Sequence, residues 1–251
     1  MTENDTVTLY RTRRGARNYG FAVGILQLDC SLPFIPGDVD NATTYGYPVI
    51  YRAIPGLSTA SCLRGAPEMT EAVVQAARDF ETQGVRVISS DCGFMLQFQA
   101  AVREAVRIPV ALSPMLQLPI IASSLAHQRP IGIITADSGN LTSAFLERAG
   151  LATPNHPLII RGLQDQPEFR SAVFDEKGTL DAGLIEAEVV SVALDMQRAN
   201  PTMGAILLEC SMLPPYAHAV QQALGLPVFD FLTMIDQFHS AAHQRRYQGS
   251  Y

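Results

Sequence analysis

The chain has 251 residues, 47% of them hydrophobic, four cysteines and a formal charge of −6 at pH 7. That apolar content is ample for the core of one large or two small domains, and a negative balance without a dense Lys/Arg run argues against nucleic acid or an anionic membrane as the main partner. No uninterrupted apolar run approaches membrane-spanning length and the first twenty residues lack the apolar stretch of a secretion signal, so a cytosolic protein with free thiols is expected.

In chain order, residues 1–20, with arginines at 11, 13, 14 and 17, read as an irregular arm. FAVGILQLD (21–29) is a continuous apolar run suited to a strand buried on both faces, followed by a Pro/Gly/Asp/Asn-rich loop and a second strand, YPVIYRAI (47–54). After the loop PGLSTASCLRG, residues 67–83 carry Val73, Val74, Ala77 and Phe80 at helical spacing, and Gly84 ends the pattern. Strand three is VRVIS, then a helix to about Arg107, strand four at IPVAL and a helix over about 119–127. Strand five, IGIITAD (131–137), opens what reads as a second copy, continued by strand six (LIIRG), a long helix over 180–199, strands seven (AILLE) and eight (PVFDF) and a C-terminal helix to about Arg246.

The copies align by residue. GVRVISSDCGFM (84–95) and TMGAILLECSML (202–213) each run from an apolar stretch through an acidic residue to a cysteine, at an offset of 118 (210 − 92). Gly24-Ile25 matches Gly132-Ile133 at an offset of 108 (132 − 24), which predicts a ten-residue insertion in the second half, placed in the loop QDQPEFRSAVFDEKG. Alternating strands and helices with short connections predict α/β architecture: two pseudo-symmetric, flavodoxin-like halves, each a four-stranded parallel sheet flanked by helices. The first half takes in 21–115 and the C-terminal helix at about 231–246, and the second takes in 116–230. Ligands bind beyond the carboxyl ends of such strands, where both thiols sit, each at a helix start that favours thiolate. Facing halves would bring Cys92 and Cys210 to opposite sides of one cleft, a geometry suited to removing a proton from one face of a carbon and delivering one to the other.

The duplicated halves, with SSDCGFM around Cys92 and LLECSMLP around Cys210, resemble the cofactor-independent aspartate/glutamate/hydantoin racemase superfamily. The resemblance implies an isomerase, a racemase or epimerase in which Cys92 and Cys210 are paired acid/base thiols, with no cofactor or metal, acting on a small carboxylate or carbonyl carbon acid, commonly as a homodimer or higher homo-oligomer. Where the amino-acid racemases have Gly before the second cysteine and Thr then Glu or His after it, this chain has Glu209-Cys210-Ser211-Met212, which points away from aspartate or glutamate as substrate. Related branches supply the alternative of a single-thiol decarboxylase or cis–trans isomerase, and a non-enzymatic two-lobed binding protein is the third reading.

By the same resemblance Thr135, Ser138 and Asn140 sit where the family binds a carboxylate. Ser58, Thr59, Gly93 and Ser211 are weaker binding candidates, mainly through their backbone N–H groups. Asp91 and Glu209 read as helix caps or as groups supporting the thiols from behind. Cys30 and Cys62 have no matched partner in the other copy and read as packing. No CxxC occurs and the five histidines show no convincing ligand spacing, the four-residue gap between His239 and His243 included.

Overall fold

A computed structural model describes residues 9–150, 156–247 and 249; the first eight residues of the N-terminal arm lie outside that range. The apolar runs become two parallel sheets. β1 (Val23–Gln27), β2 (Val49–Ala53) and β3 (Val87–Ser90) are ordered β2-β1-β3, and β4 (Ile131–Thr135), β5 (Leu158–Gly162), β6 (Ala205–Leu208) and β7 (Val228–Phe229) are ordered β5-β4-β6-β7. β3, β4 and β6 are buried throughout and β1 at all but Gln27, which is why they read as continuous rather than alternating apolar segments. The duplication is visible in register: Val23 pairs with Val87 and Ile131 with Ala205, offsets of 108 and 118.

Helices α1 (Thr59–Arg64), α2 (Thr70–Gln83), α3 (Gln99–Ala105), α4 (Leu118–Ser124), α5 (Ser143–Arg148), α6 (Pro167–Phe169), α7 (Ala182–Ala199), α8 (Ala217–Leu224) and α9 (Phe231–Ala242) flank the sheets. In α2 the predicted face, Val73, Val74, Ala77 and Phe80, is buried, and Gly84 closes the helix with φ 89°, a left-handed conformation costly for other residues. α9 is fixed at its start by Asp230 and Thr233, each side chain bonding the other's backbone N–H, and packs Phe231, Met234 and Ile235 against Val23, Ile25 and Val87 of the first sheet. The last helix thus returns to the first half, ending at Ala242 rather than Arg246. One of the core clusters runs through both halves, joining Leu26, Ile88 and Phe94 with Ile133 and Leu207.

Two expectations need correction. The first sheet has three strands, not four: IPVAL contributes one parallel bridge, Ile88 to Val110, the counterpart of the Ile206–Val228 pair at the start of β7. Side chains take over the ladder there. Ser89 and Ser90 donate to the carbonyls of Ala111 and Leu112, and Gln99 bridges Val110 O and Leu112 N. The expected loop QDQPEFRSAVFDEKG also contains structure, α6 followed by one wide helical turn (Arg170–Phe174). Phe169, Ala172 and Val173 bury its inner face, and the Glu188 carboxylate of α7 accepts the N–H groups of Glu168 and Phe169. β2 and β5 are offset by 109, so nine of the ten extra residues fall after β5, where this segment lies.

Phe80 is fully buried, and a Cβ on Gly24 would lie 2.6 Å from its ring. Phe80→Ala is expected to cost about 3–5 kcal/mol in urea unfolding; a loss under about 1 kcal/mol would show that this contact does not anchor α2 to β1.

Candidate active site

Cys92 and Cys210 follow β3 and β6, each paired with the first strand of its own half, and the two turns that carry them clasp each other. Ser211 Oγ donates to the carbonyl of Asp91. Ser211 corresponds to Gly93, and Asp91 to Glu209, under the 118-residue offset. The reciprocal contact is also made: Glu209 lies against Gly93, where a Cβ would fall 1.9 Å from Glu209 Oε1 and 2.6 Å from its carbonyl oxygen. One position after the first cysteine therefore meets one position before the second, and vice versa, the self-complementary pattern of an isologous interface. Only glycine fits at 93.

Both thiols line one cavity of about 40 Å³. Its walls are largely apolar, with Leu28, Leu32, Phe34, Leu63, Phe94 and Met212, and they carry the carboxylates of Asp91 and Glu209 but no Lys or Arg. A water occupies about 30 Å³ of liquid, so in this conformation the space admits only a very small molecule. A larger hollow of about 280 Å³ lies outside it and shares Thr59, Leu63 and Val173 with it.

Burial governs the titration of this site. The Cys62 thiol beside it, burial and the Glu209 carboxylate hold Cys92 well above the ordinary thiol value, against the N–H of Phe94. Burial and then Glu209 do the same to Cys210, against the N–H of Met212. Glu209 itself is pushed up to about 7 by burial, with the Thr135 hydroxyl, 2.8 Å from Oε2, pulling the other way. Its Oε1 is buried and has no hydrogen-bond donor. Asp91 accepts the N–H of Leu28 at 2.8 Å through one oxygen, and burial and then the Asp40 carboxylate raise it well above the carboxylate range. Burial also raises Asp40. The other Asp91 oxygen is buried and has no hydrogen-bond partner.

Of the residues singled out by sequence, the cavity gathers Cys92, Cys210, Gly93, Ser211, Asp91, Glu209 and Thr59. Thr135 is buried behind Glu209. Ser58 caps α1 through the N–H of Ser61, and Ser138 faces Gln164. Asn140 donates to Asp137 and faces the outer hollow. Sequence reasoning missed Cys30, which lines the cavity, and Cys62, whose sulfur lies 4.0 Å from that of Cys92. Neither has a counterpart in the second copy, and the repeat was the signal used. Asp40, from the loop after β1, carried no signal of its own. Among the described residues no group of three or more His, Cys, Asp or Glu side chains is placed to hold a metal ion; His239 instead stacks on Tyr47, ring centres 3.6 Å apart, and His243 stacks on His239.

No family model matches the chain. Among solved structures it is similar to unliganded arylmalonate decarboxylase (TM-score 0.58, 19% identity, 90% of this chain and 94% of that one) and to a glutamate racemase of Bacillus anthracis (TM-score 0.57, 15%, 89% and 84%). At that identity the likeness is one of fold, and it is the fold of the aspartate/glutamate/hydantoin racemase superfamily. In sequence the chain is 32% identical over 223 residues to a dimethylsulfoniopropionate lyase of Durusdinium sp. clade D, covering 86% of this chain and 73% of that one. It is 34% identical over 230 residues to dimethylsulfoniopropionate lyase 5 of Emiliania huxleyi (strain CCMP1516), covering 88% of this chain and 45% of that much longer one. These relatives are lyases, which overturns the expectation of an isomerase. The chain belongs to the dimethylsulfoniopropionate lyase family, on the racemase-superfamily fold.

Proposed function

We propose that the chain is a carbon–sulfur lyase for dimethylsulfoniopropionate or a close β-sulfonio carboxylate, with a thiolate in the shared cavity as its base. Two cysteines on opposed turns, in an apolar cavity that holds carboxylates and no cation, carry this reading. The thiolate takes a proton from the carbon next to the substrate carboxylate. The C–H electron pair becomes the carbon–carbon double bond, and the bond to sulfur breaks with its pair going to the departing dimethyl sulfide. Acrylate remains, the thiol later loses its proton to solvent, and the step as written needs no cofactor.

Each feature of the cavity has a use in that step. The sulfonium cation suits a space bounded by Asp91, Glu209, Phe34 and Phe94. Bound there, the cation offsets the burial that keeps the thiols protonated. In this reading the N–H groups of Phe94 and Met212, which face the two sulfurs, receive negative charge growing on the substrate carboxylate. Substrate exceeds the closed cavity, so entry requires Leu63 and Val173, which also wall the outer hollow, to part. Removing one proton uses one face of one carbon, so the two thiols have unequal duties. The substrate named by the relatives also has no stereocentre to invert.

Supplied with dimethylsulfoniopropionate, the protein is expected to release dimethyl sulfide and acrylate in equal amounts, measured by headspace gas chromatography and liquid chromatography. Replacing the basic cysteine, by Cys92→Ser or Cys210→Ser, is expected to lower kcat by about 10²- to 10⁴-fold; activity that survives both single replacements would remove the thiols from the chemistry. The reactive form is the thiolate and both thiols are held high, so kcat/KM should climb with pH through neutrality and still be rising at about pH 9, the ordinary thiol range. Glu209→Gln removes a negative charge that raises both thiols, and the rising limb should move to lower pH. A limb that moves to higher pH would contradict a thiolate base next to Glu209.

A further inference from the structure

Cys62 is fully buried on α1, and its Sγ lies 4.0 Å from the Sγ of Cys92. The pair is held in register by Gln97. Its Nε2 donates to the carbonyls of Cys62 (3.0 Å) and Phe94 (3.1 Å), and its Oε1 accepts the N–H of Ala66 (2.9 Å). One side chain thus ties α1 to the turn that bears Cys92. A disulfide needs about 2.05 Å between sulfurs, and rotation about a single Cα–Cβ bond moves a sulfur by more than the missing distance. Cys92 opens on a cavity large enough for a peroxide molecule, while Cys62 lies behind it, away from the cavity wall.

We infer that Cys62 is the resolving partner of Cys92, and that hydrogen peroxide or a similar small hydroperoxide converts the two into a reversible disulfide that closes the site. The Cys92 thiolate attacks one peroxide oxygen, the O–O bond breaks, and Cys92 becomes a sulfenic acid as water is released. The Cys62 sulfur then attacks that sulfur and displaces a second water. Two thiols lose two electrons in total, and the two peroxide oxygens gain them. A dithiol reductant reverses the change by thiol–disulfide exchange. The loss of activity in this inference rests on the proposed role of the cavity, whereas the cross-link itself does not.

The four cysteines fall in different tryptic peptides, so the bond can be read directly. Cleavage after Arg52, Arg64, Arg86 and Arg103 puts Cys62 in 53–64 and Cys92 in 87–103. The full chain treated with a small excess of hydrogen peroxide and digested without reductant should yield 53–64 joined to 87–103, lighter by two hydrogens. Lyase activity should fall in proportion to the cross-linked fraction and return with dithiothreitol. Cys62→Ser should form no such bond; peroxide should then carry Cys92 to sulfinic acid, and dithiothreitol should not restore whatever activity the untreated variant has. Finding Cys62 still free after Cys92 is oxidised, or Cys92 joined to Cys30 or Cys210, would overturn the inference. A chain with no lyase activity that still forms the 62–92 bond would refute the proposed reaction and leave the thiol pair standing.

Discussion

Everything at the site depends on the reciprocal contact between the two cysteine-bearing turns. Ser211 meets the backbone of Asp91, and Glu209 meets the backbone of Gly93, so the two halves are locked at the point where chemistry would occur. Neither half could form the cavity alone. The clasp puts a carboxylate where water cannot reach it, with one oxygen held by Thr135 and the other without a donor. An unpaired buried polar atom destabilises a fold, and this one lies beside two thiols. The same burial raises both thiols above the ordinary value.

Racemisation and elimination make different demands on a pair of opposed thiols. A racemase must keep two opposed thiols in opposite protonation states and return a proton to the carbon. An elimination sends the electron pair outward into a leaving group and returns none. Near-symmetric turns can serve either chemistry, and what differs is their surroundings. Here the residue before the second cysteine is an acid rather than a glycine, and the cavity walls hold carboxylates without a cation. The proposed substrate and an amino acid both carry a carboxylate and a positive end; what sets the first apart is that its positive end is also the leaving group.

Much of the fold was legible because buried parallel strands leave continuous apolar runs and because the repeat could be aligned residue by residue. The 108 and 118 offsets correctly matched β1 with β4 and β3 with β6. The missing fourth strand was not legible: an apolar run with a proline looks the same whether its carbonyls meet a strand or the hydroxyls of Ser89 and Ser90. In the site, the cysteines at 92 and 210 stood out by symmetry, and the residues next to them came along with the turns. Cys62, Cys30 and Asp40 reach the site from elements without a symmetric counterpart, so only three-dimensional proximity reveals them. The reaction was read from the fold's better-known chemistry, and a departure already visible at Glu209 was used to question the substrate when it bore equally on the reaction.

The most direct measurement is whether the two sulfurs compete for one space. Treated with limiting iodoacetamide and mapped by tryptic peptides, each chain should carry an adduct on Cys92 or on Cys210, not both, because one carboxamidomethyl group fills a cavity of about 40 Å³. Independent alkylation of both cysteines on the same chain, each at its own unaltered rate, would place them in separate environments and contradict the shared site.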